Sequence, residues 1–564
     1  MPIVECVPNF SEGRRPAVID QITAAIKAIE GAVLLDVDPG KATNRTVVTF
    51  VGEPEAVLEA AFQAIKTATQ VIDMRQHTGA HARMGATDVC PFVPVSGITM
   101  DECAELARRL GRRVGDELGI PVYLYEHAAS RPHCKNLADI RKGEYEGLAD
   151  KLCDPNWKPD FGPTTPNAKS GATVIGAREF LIAYNVNLNT RDRKLAQDIA
   201  LDIREAGRAK RDARGEIVRN PDGTSVTVSG KLKAVKAVGW FIEEYSRAQV
   251  SINLVDYHLT GVHHAFDAVD EEARKRGLRA TGSELVGLIP LQAMLDAGKH
   301  YLKRQGKSPG VPERQLVETA AQSLGLSELV PFVPEEKIIE YRLAKDTAGK
   351  LLVRKSVADF ADEVSTESPA PGGGSVAALC GALAAALSSM VANLTVGKKG
   401  FEKDWEAMKA LAERAQAEKD ACLRAVDEDS QAFDRVMDAM RLPSTSEADK
   451  TAKAASVLEA NRGATLVPLQ LLERTLGILS LTQEAASKGN PNSLSDAGTA
   501  AGVAFAAAEG AYLNVIINLK NIDGDPTWVE ETRSRAVDLL GRARALSQGI
   551  IGDVEARLSP TPVS

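Results

Sequence analysis

The chain has 564 residues, too many for a single hydrophobic core, and its length points to three or four domains. Its composition, 44% hydrophobic and 26% charged, is that of a folded globular protein rather than a disordered one. A net charge of -8 argues against a nucleic-acid binder, since phosphate backbones are held by basic surfaces.

The first elements read as an alternation of strands and helices. Ile3 to Val7 has the pattern of a buried strand, Asn9 to Gly13 of a turn, and Pro16 to Ile29 of a helix. Ala32 to Val37 reads as a strand, Asp38-Pro39-Gly40 as a turn, Arg45 to Val51 as a strand and Pro54 to Thr67 as a helix. A strand over Val89 to Pro94, a helix over Asp101 to Leu118 and a strand over Val122 to Tyr125 follow. This order describes an α/β (α+β) unit with a mixed sheet and helices on one face. The first strand is not followed by the glycine-rich turn of a dinucleotide fold, and no P-loop occurs.

Residues 155 to 171, rich in proline and glycine, form an irregular loop: a surface connector or the lining of a cleft. A second α/β stretch begins near Phe180, with a helix over Arg191 to Ala206 and strands over Val235 to Glu243 and Gln249 to Asp256. Helices over Val262 to Arg276, Pro290 to His300 and Glu313 to Ser323 complete it. Within it, residues 207 to 231 are polar, and the Asn220-Pro221-Asp222-Gly223 turn signal predicts a solvated hairpin excursion. Two such subdomains side by side would leave a cleft between them.

After Tyr341 the composition shifts to Ala, Leu, Glu, Lys and Arg at helical spacing. Pro369-Ala370-Pro371-Gly372-Gly373-Gly374-Ser375 opens a run of small apolar residues to Leu394, and a second run spans Ala497 to Leu519. Ala, Gly and Ser in the first run and Glu509 inside the second favour a helical bundle, buried in part by subunit association, over membrane spans. The organisation expected is 1–180 and 181–343 as two α/β subdomains, 344–351 as a linker and 352–564 as an all-α helical-bundle domain. Seven cysteines, an odd number with no CxxC pair, fit a reduced cytoplasmic protein without structural zinc. The N-terminal residues carry no signal-peptide pattern.

Four places hold candidate chemistry, and in the first Asp36, Asp38, Asn44 and Arg45 bracket the turn after the second strand, as turn caps or as polar groups facing a cleft. His77 and His81 stand in H-T-G-A-H-A-R-M-G-A-T-D beside Arg75, Arg83 and Asp88. Imidazole is suited to proton transfer near neutral pH. The spacing would serve a metal on a helix, but Gly79 and Gly85 disfavour one and no third ligand is near, so no metal is expected. Gly372-Gly373-Gly374-Ser375 reads either as a tight turn with Ser375 as N-cap or as a backbone anion site. In Asp427-Glu428-Asp429, helical geometry sends the two aspartates to opposite sides, and Asp429 shares an apolar stripe with Ala425, Ala432 and Phe433. A carboxyl there would have a raised pKa and serve as acid or base.

With these residues in view, the chain resembles formiminotransferase–cyclodeaminase, the bifunctional folate enzymes of histidine degradation. The resemblance runs through V-E-C-V-P-N-F-S-E-G from Val4, N-R-T-V from Asn44, H-x-G-x-H-x-R-M-G-A-x-D-V-C-P-F from His77 and P-D-F-G-P from Pro159. It continues with P-A-P-G-G-G-S-V-A-A from Pro369, N-x-x-S-L-S-D from Asn490 and Y-L-N-V-I-I-N-L from Tyr512. The excursion at 207 to 231 looks longer than in the family's animal members.

The resemblance implies that the first half moves a formimino group from N-formimino-L-glutamate to N5 of tetrahydrofolate. The second half would then cyclise the product to 5,10-methenyltetrahydrofolate with loss of ammonia. It puts the transferase histidine on His81 and the deaminase acid on Asp429. It puts the folate-binding segment on Gly162, Pro163, Thr164, Thr165, Pro166, Asn167, Ala168, Lys169, Ser170 and Gly171. Tetrahydrofolate, polyglutamylated, is the expected co-substrate, with no metal and no nucleotide. A homo-oligomer, dimer or larger ring, is expected, with no nucleic-acid or membrane partner. The alternative is formyl transfer from N-formylglutamate, with the helical half only an oligomerisation scaffold.

Overall fold

The computed structural model describes residues 2–41, 43–79, 82–221, 223–348 and 351–559, without the side chains of 345–348. The chain forms two compact units, one of residues 1–294 with 324–345, the other of residues 295–323 with 346–564.

The first unit opens with β1 (Ile3–Cys6) and β2 (Asn9–Phe10), then helix α1 (Pro16–Lys27), β3 (Ala32–Gly40), β4 (Arg45–Gly52) and α2 (Pro54–Val71). After these come β5 (Thr87–Ser96), α3 (Met100–Leu118), β6 (Val122–Glu126) and β7 (Thr173–Ala177). β1 and β2 lie in succession between β4 and β5, and the sheet runs β3, β4, β1 with β2, β5, β7, β6. The β5–β7 and β6–β7 pairs are parallel and the others antiparallel, which makes this sheet mixed.

Of two turns expected from the sequence, Asp38-Pro39-Gly40 is strand instead, and Asn9 to Gly13 is strand over its first two residues and bends over the rest. Asn9 and Phe10 pair with both β4 and β5. Asp38, Pro39 and Gly40 continue β3 against Val47, Thr46 and Arg45. β3 pairs only with β4, so the missing N–H of Pro39 need not break a ladder. The chain turns beyond Gly40, where Asn44 takes a left-handed conformation, φ 49°. One face of the sheet buries Val4, Cys6, Phe10, Phe50 and Phe92 against Ile22, Ile26, Phe62, Ile65 and Leu110. On the other, Val89, Tyr123 and Val174 pack with Ile140, Leu148 and Leu152.

The second sheet of this unit is antiparallel throughout. β8 (Ile182–Leu188), β11 (Val235–Ile242), β12 (Arg247–Leu254) and β13 (Ala280–Val286) run in the order β11, β12, β8, β13. Helices Arg193–Ile203 and Val262–Lys275 pack on it. The expected excursion is a separate small meander. β9 (Arg208–Ala209) and β10 (Thr227–Val228) pair at its root, and Val226 bonds Val218 above them.

The second unit is helical. Its long helices are Gly373–Thr395, Trp405–Arg441, Glu447–Lys488, Leu494–Leu519 and Pro526–Leu558. Their core is written largely in alanine, with Ala378, Ala384, Ala385, Ala497, Ala504 and Ala511 buried, which lets helices approach closely. Gly373–Thr395 and Pro491–Leu519 are long and apolar enough to cross a membrane by length and composition. The interior helix of a bundle meets the same criterion, and Gly373–Thr395 contributes thirteen buried residues here.

Candidate active sites

The first candidate site lies where the segment after α2 crosses the ends of β4 and β5. His77, Thr78, Gly79, Arg83, Gly143, Glu144 and Glu146 line a cavity of about 460 Å³. Asn44 clamps one wall. Its Oδ1 accepts from the Gly13 N–H at 3.0 Å, and its Nδ2 donates to the Thr78 carbonyl at 2.9 Å. Arg83 clamps the other. Its guanidinium donates to Nδ1 of His77 at 3.3 Å, to Glu144 at 2.9 Å and to Glu146 at 2.6 Å. Hydrogen bonds from Arg83 hold the Glu146 carboxyl below its ordinary range. His81, the expected proton carrier, falls between Gly79 and Arg83 in the chain and lies outside the described residues.

The loop 162–171 is laced to this segment. Met74 N–H donates to the Lys169 carbonyl at 2.9 Å, Ala86 N–H to the Ser170 carbonyl at 2.8 Å and the Tyr145 hydroxyl to the Ala168 carbonyl at 2.6 Å. Tyr145 N–H in turn donates to the Arg83 carbonyl at 2.9 Å. Gly171, with φ 68°, lies so close to the Met84 carbonyl and Gly85 that no side chain would fit. Ser170 is buried and its hydroxyl has no hydrogen-bond partner among the described residues. Arg45, Asp88 and Arg141 stand close by. The Arg141 guanidinium donates to the buried carboxylate of Asp88, and burial pushes Arg45 down to about 10.

The second candidate site lies in the helical unit. Asp429 comes from the Trp405–Arg441 helix and meets the first turn of Gly373–Thr395, where the Ser375 hydroxyl is 3.2 Å from its Oδ2. Gly372 is the N-cap of that helix and Ser375 sits three residues in, so the expected N-cap role for Ser375 is corrected. Its side chain bonds the neighbouring helix instead. Gly374 has no side chain because the Asp429 carboxylate occupies that space. Burial raises the Asp429 pKa, and the Ser375 hydroxyl and N–H act against it. Asp427 turns the other way and accepts the Leu352 N–H at 2.7 Å, as helical geometry predicts.

Models of three related domains match in succession: "Formiminotransferase domain, N-terminal subdomain" over residues 3–178, "Formiminotransferase domain" over 183–344 and "Formiminotransferase-cyclodeaminase" over 356–538. The formimidoyltransferase-cyclodeaminase of Rattus norvegicus is 43% identical over 98% of this chain and 99% of its own. The chain belongs to the formiminotransferase-cyclodeaminase family. Each half also has relatives that stand alone. The glutamate formimidoyltransferase of Streptococcus pyogenes is 42% identical over 53% of this chain and 93% of its own. The methenyltetrahydrofolate cyclohydrolase of Methylorubrum extorquens is 37% identical over 36% of this chain and 98% of its own.

Within this family member, sequence reasoning singled out Asp429, His77, Arg83 and the 162–171 loop but missed the carboxylates that hold Arg83. Glu144 and Glu146 reach Arg83 from an exposed turn some sixty residues away, and nothing in their local pattern signals it. Ser375 was visible in the glycine run. Only the packing of two helices shows that its hydroxyl serves Asp429.

Proposed function

We propose that this protein is a bifunctional folate enzyme. It transfers the formimino group of N-formimino-L-glutamate to N5 of tetrahydrofolate, releasing glutamate, and cyclises 5-formiminotetrahydrofolate to 5,10-methenyltetrahydrofolate and ammonia. The observation that carries this is the match over 98% of the chain, through both halves, to a formimidoyltransferase-cyclodeaminase. Formyl transfer with an inert helical scaffold is not favoured, since the separate relatives are named for formimidoyl transfer and for methenyltetrahydrofolate chemistry.

In the transferase half, N5 attacks the formimino carbon. His81 takes the N5 proton and returns a proton to the departing glutamate nitrogen. The loop 162–171 receives the folate, a reading supported by the buried Ser170 hydroxyl, which has no partner among the described residues. Lys169 and other basic side chains hold an anionic polyglutamyl tail by charge-assisted hydrogen bonds. In the helical half, N10 attacks the same carbon and Asp429 protonates the leaving nitrogen. Burial keeps this carboxyl protonated to higher pH than an exposed aspartate, which suits an acid. No metal is required, because an amidine protonated at nitrogen is already an electrophile.

The enzyme works as a homo-oligomer. Val376, Leu383, Met390 and Leu394 leave an exposed apolar stripe on the Gly373–Thr395 helix, and Leu513 and Ile517 leave another on Leu494–Leu519, as a subunit interface would. A cytoplasmic location agrees with seven free thiols.

Purified protein given N-formimino-L-glutamate and tetrahydrofolate tests the proposal, read by glutamate, ammonia and the near-ultraviolet absorbance of methenyltetrahydrofolate. Wild type makes all three, His81→Ala none, and Asp429→Asn stops after glutamate. Glutamate without ammonia from wild type would reduce the helical half to a scaffold.

A further inference from the structure

Among the described residues, Asp429 has one polar side chain from another helix hydrogen-bonded to it, and that side chain has a choice of acceptors. Ser375 is fully buried. Its hydroxyl oxygen lies 2.9 Å from the Val426 carbonyl, 3.2 Å from Asp429 Oδ2 and 3.2 Å from the Ser430 hydroxyl. A hydroxyl has a single hydrogen to donate and two lone pairs. We propose that Ser375 is a positioning residue for Asp429: its hydroxyl hydrogen changes acceptor as the carboxyl gains and loses its proton, so the carboxyl keeps one place through the cycle. The proposal rests on the reading of Asp429 as the deaminase acid.

With Asp429 ionised, the carboxylate is the strongest acceptor within reach, and the hydroxyl turns to it. Once Asp429 is protonated, the carboxyl becomes a donor. The hydroxyl then turns its hydrogen to the spare lone pair of the Val426 carbonyl and offers a lone pair of its own to the acid proton. The Ser375 N–H is a fixed second donor to the carboxylate. The bare Gly374 beside it lets the carboxyl come this close.

Nothing charged competes among the described residues. On its own helix Asp427 is held by the Leu352 N–H, Glu428 is exposed, and Ser430 is uncharged. From the Leu494–Leu519 helix, Asn514 stands over Gly373 with its amide donating to the Gly510 carbonyl. Burial and Ser375 are the influences on the Asp429 proton, in opposite directions.

The test uses the full-length enzyme supplied with 5-formiminotetrahydrofolate, with ammonia release measured against pH. An acid works protonated, so the rate falls as pH rises through its titration. Ser375→Ala removes a donor that favours the anion. Its falling limb should move to higher pH, and its plateau kcat should drop roughly tenfold, the worth of one hydrogen bond, with KM unchanged. Glutamate release in the transferase assay should stay at the wild-type rate. Ser375→Cys keeps the size with a weaker donor and should lie between the two; it carries the test if the alanine variant fails to fold by circular dichroism. A limb at the wild-type pH in a folded Ser375 variant, with Asp429→Asn inactive, overturns this proposal alone. Wild-type ammonia release by Asp429→Asn overturns the assignment of the acid and the proposal with it.

Discussion

The Nε–H of Arg83 donates to Nδ1 of His77, and the other ring nitrogen of His77, Nε2, lies 2.8 Å from the Asn44 carbonyl. A guanidinium only donates, so Nδ1 is the acceptor and Nε2 carries the hydrogen. Both nitrogens are engaged with protein, and His77 has none left to shuttle a proton. Its work is to hold the wall of the cavity between Asn44 and Arg83. His77→Gln should therefore lower the transferase kcat by about tenfold, the worth of one hydrogen bond, without moving either limb of its pH profile. His81→Ala should abolish transfer. A moved limb in His77→Gln would make His77 part of the proton path.

A methyl group at position 374 would fall on the Asp429 carboxylate. Gly374→Ala should cost the deaminase at least a hundredfold, since the carboxylate must leave its place, while formimino transfer continues. Glutamate and ammonia measured in one reaction check this. Parallel loss of both products would trace the effect to folding.

Asp427 and Asp429 share a helix and serve different neighbours. Asp427→Asn keeps an acceptor for the Leu352 N–H but loses the charge that strengthens the bond. It should lower stability by about 1 kcal/mol, seen as a lower Tm, with ammonia release intact. Asp429→Asn should show the reverse.

Glu5 is 1% exposed, and burial pushes its carboxyl up to about 8, despite Arg178 beside it. The folded state thus holds this proton through a range where the unfolded chain has released it. Stability from this group is complete below pH 4.5 and is lost progressively as pH rises to about 8. Glu5→Gln supplies a neutral side chain of the same shape. It should stabilise the protein at pH 7 by on the order of 3 kcal/mol and flatten the fall of Tm across that range. An unchanged slope would show that the charge is compensated in the fold.

Helices were the more legible part of this chain, because their apolar spacing is local. The helix over Glu313–Ser323 falls where its pattern predicts, and α1 to α3 differ from expectation by a few residues at their ends. Strands depended on partners far away. β7 sits between β5 and β6, and β13 at the edge of the second sheet; neither stood out, since Thr173–Ala177 and Ala280–Val286 each carry a glycine that interrupts the apolar pattern. Asp38-Pro39-Gly40 carries every local sign of a turn, and edge pairing with β4 overrides it. The aspartate of the second site could be picked out because a helix fixes which carboxyl faces inward. The Arg83 clamp could not, since it is made by residues that meet only in the fold.

The meander rooted at β9 and β10 stands on a cage of ions. Arg276 spans Asp198, Asp202 and Glu272, Arg208 pairs with the same two aspartates, and Lys231 pairs with Glu271 and Glu272. The cage fastens both ends of the excursion to helices Arg193–Ile203 and Val262–Lys275, and at its far end the Asn220 amide donates to the Thr224 hydroxyl. An epitope or a fluorescent label inserted there would extend a handle whose foundation does not shift, and both reactions could be followed in a tagged enzyme with its 162–171 loop and helical bundle undisturbed.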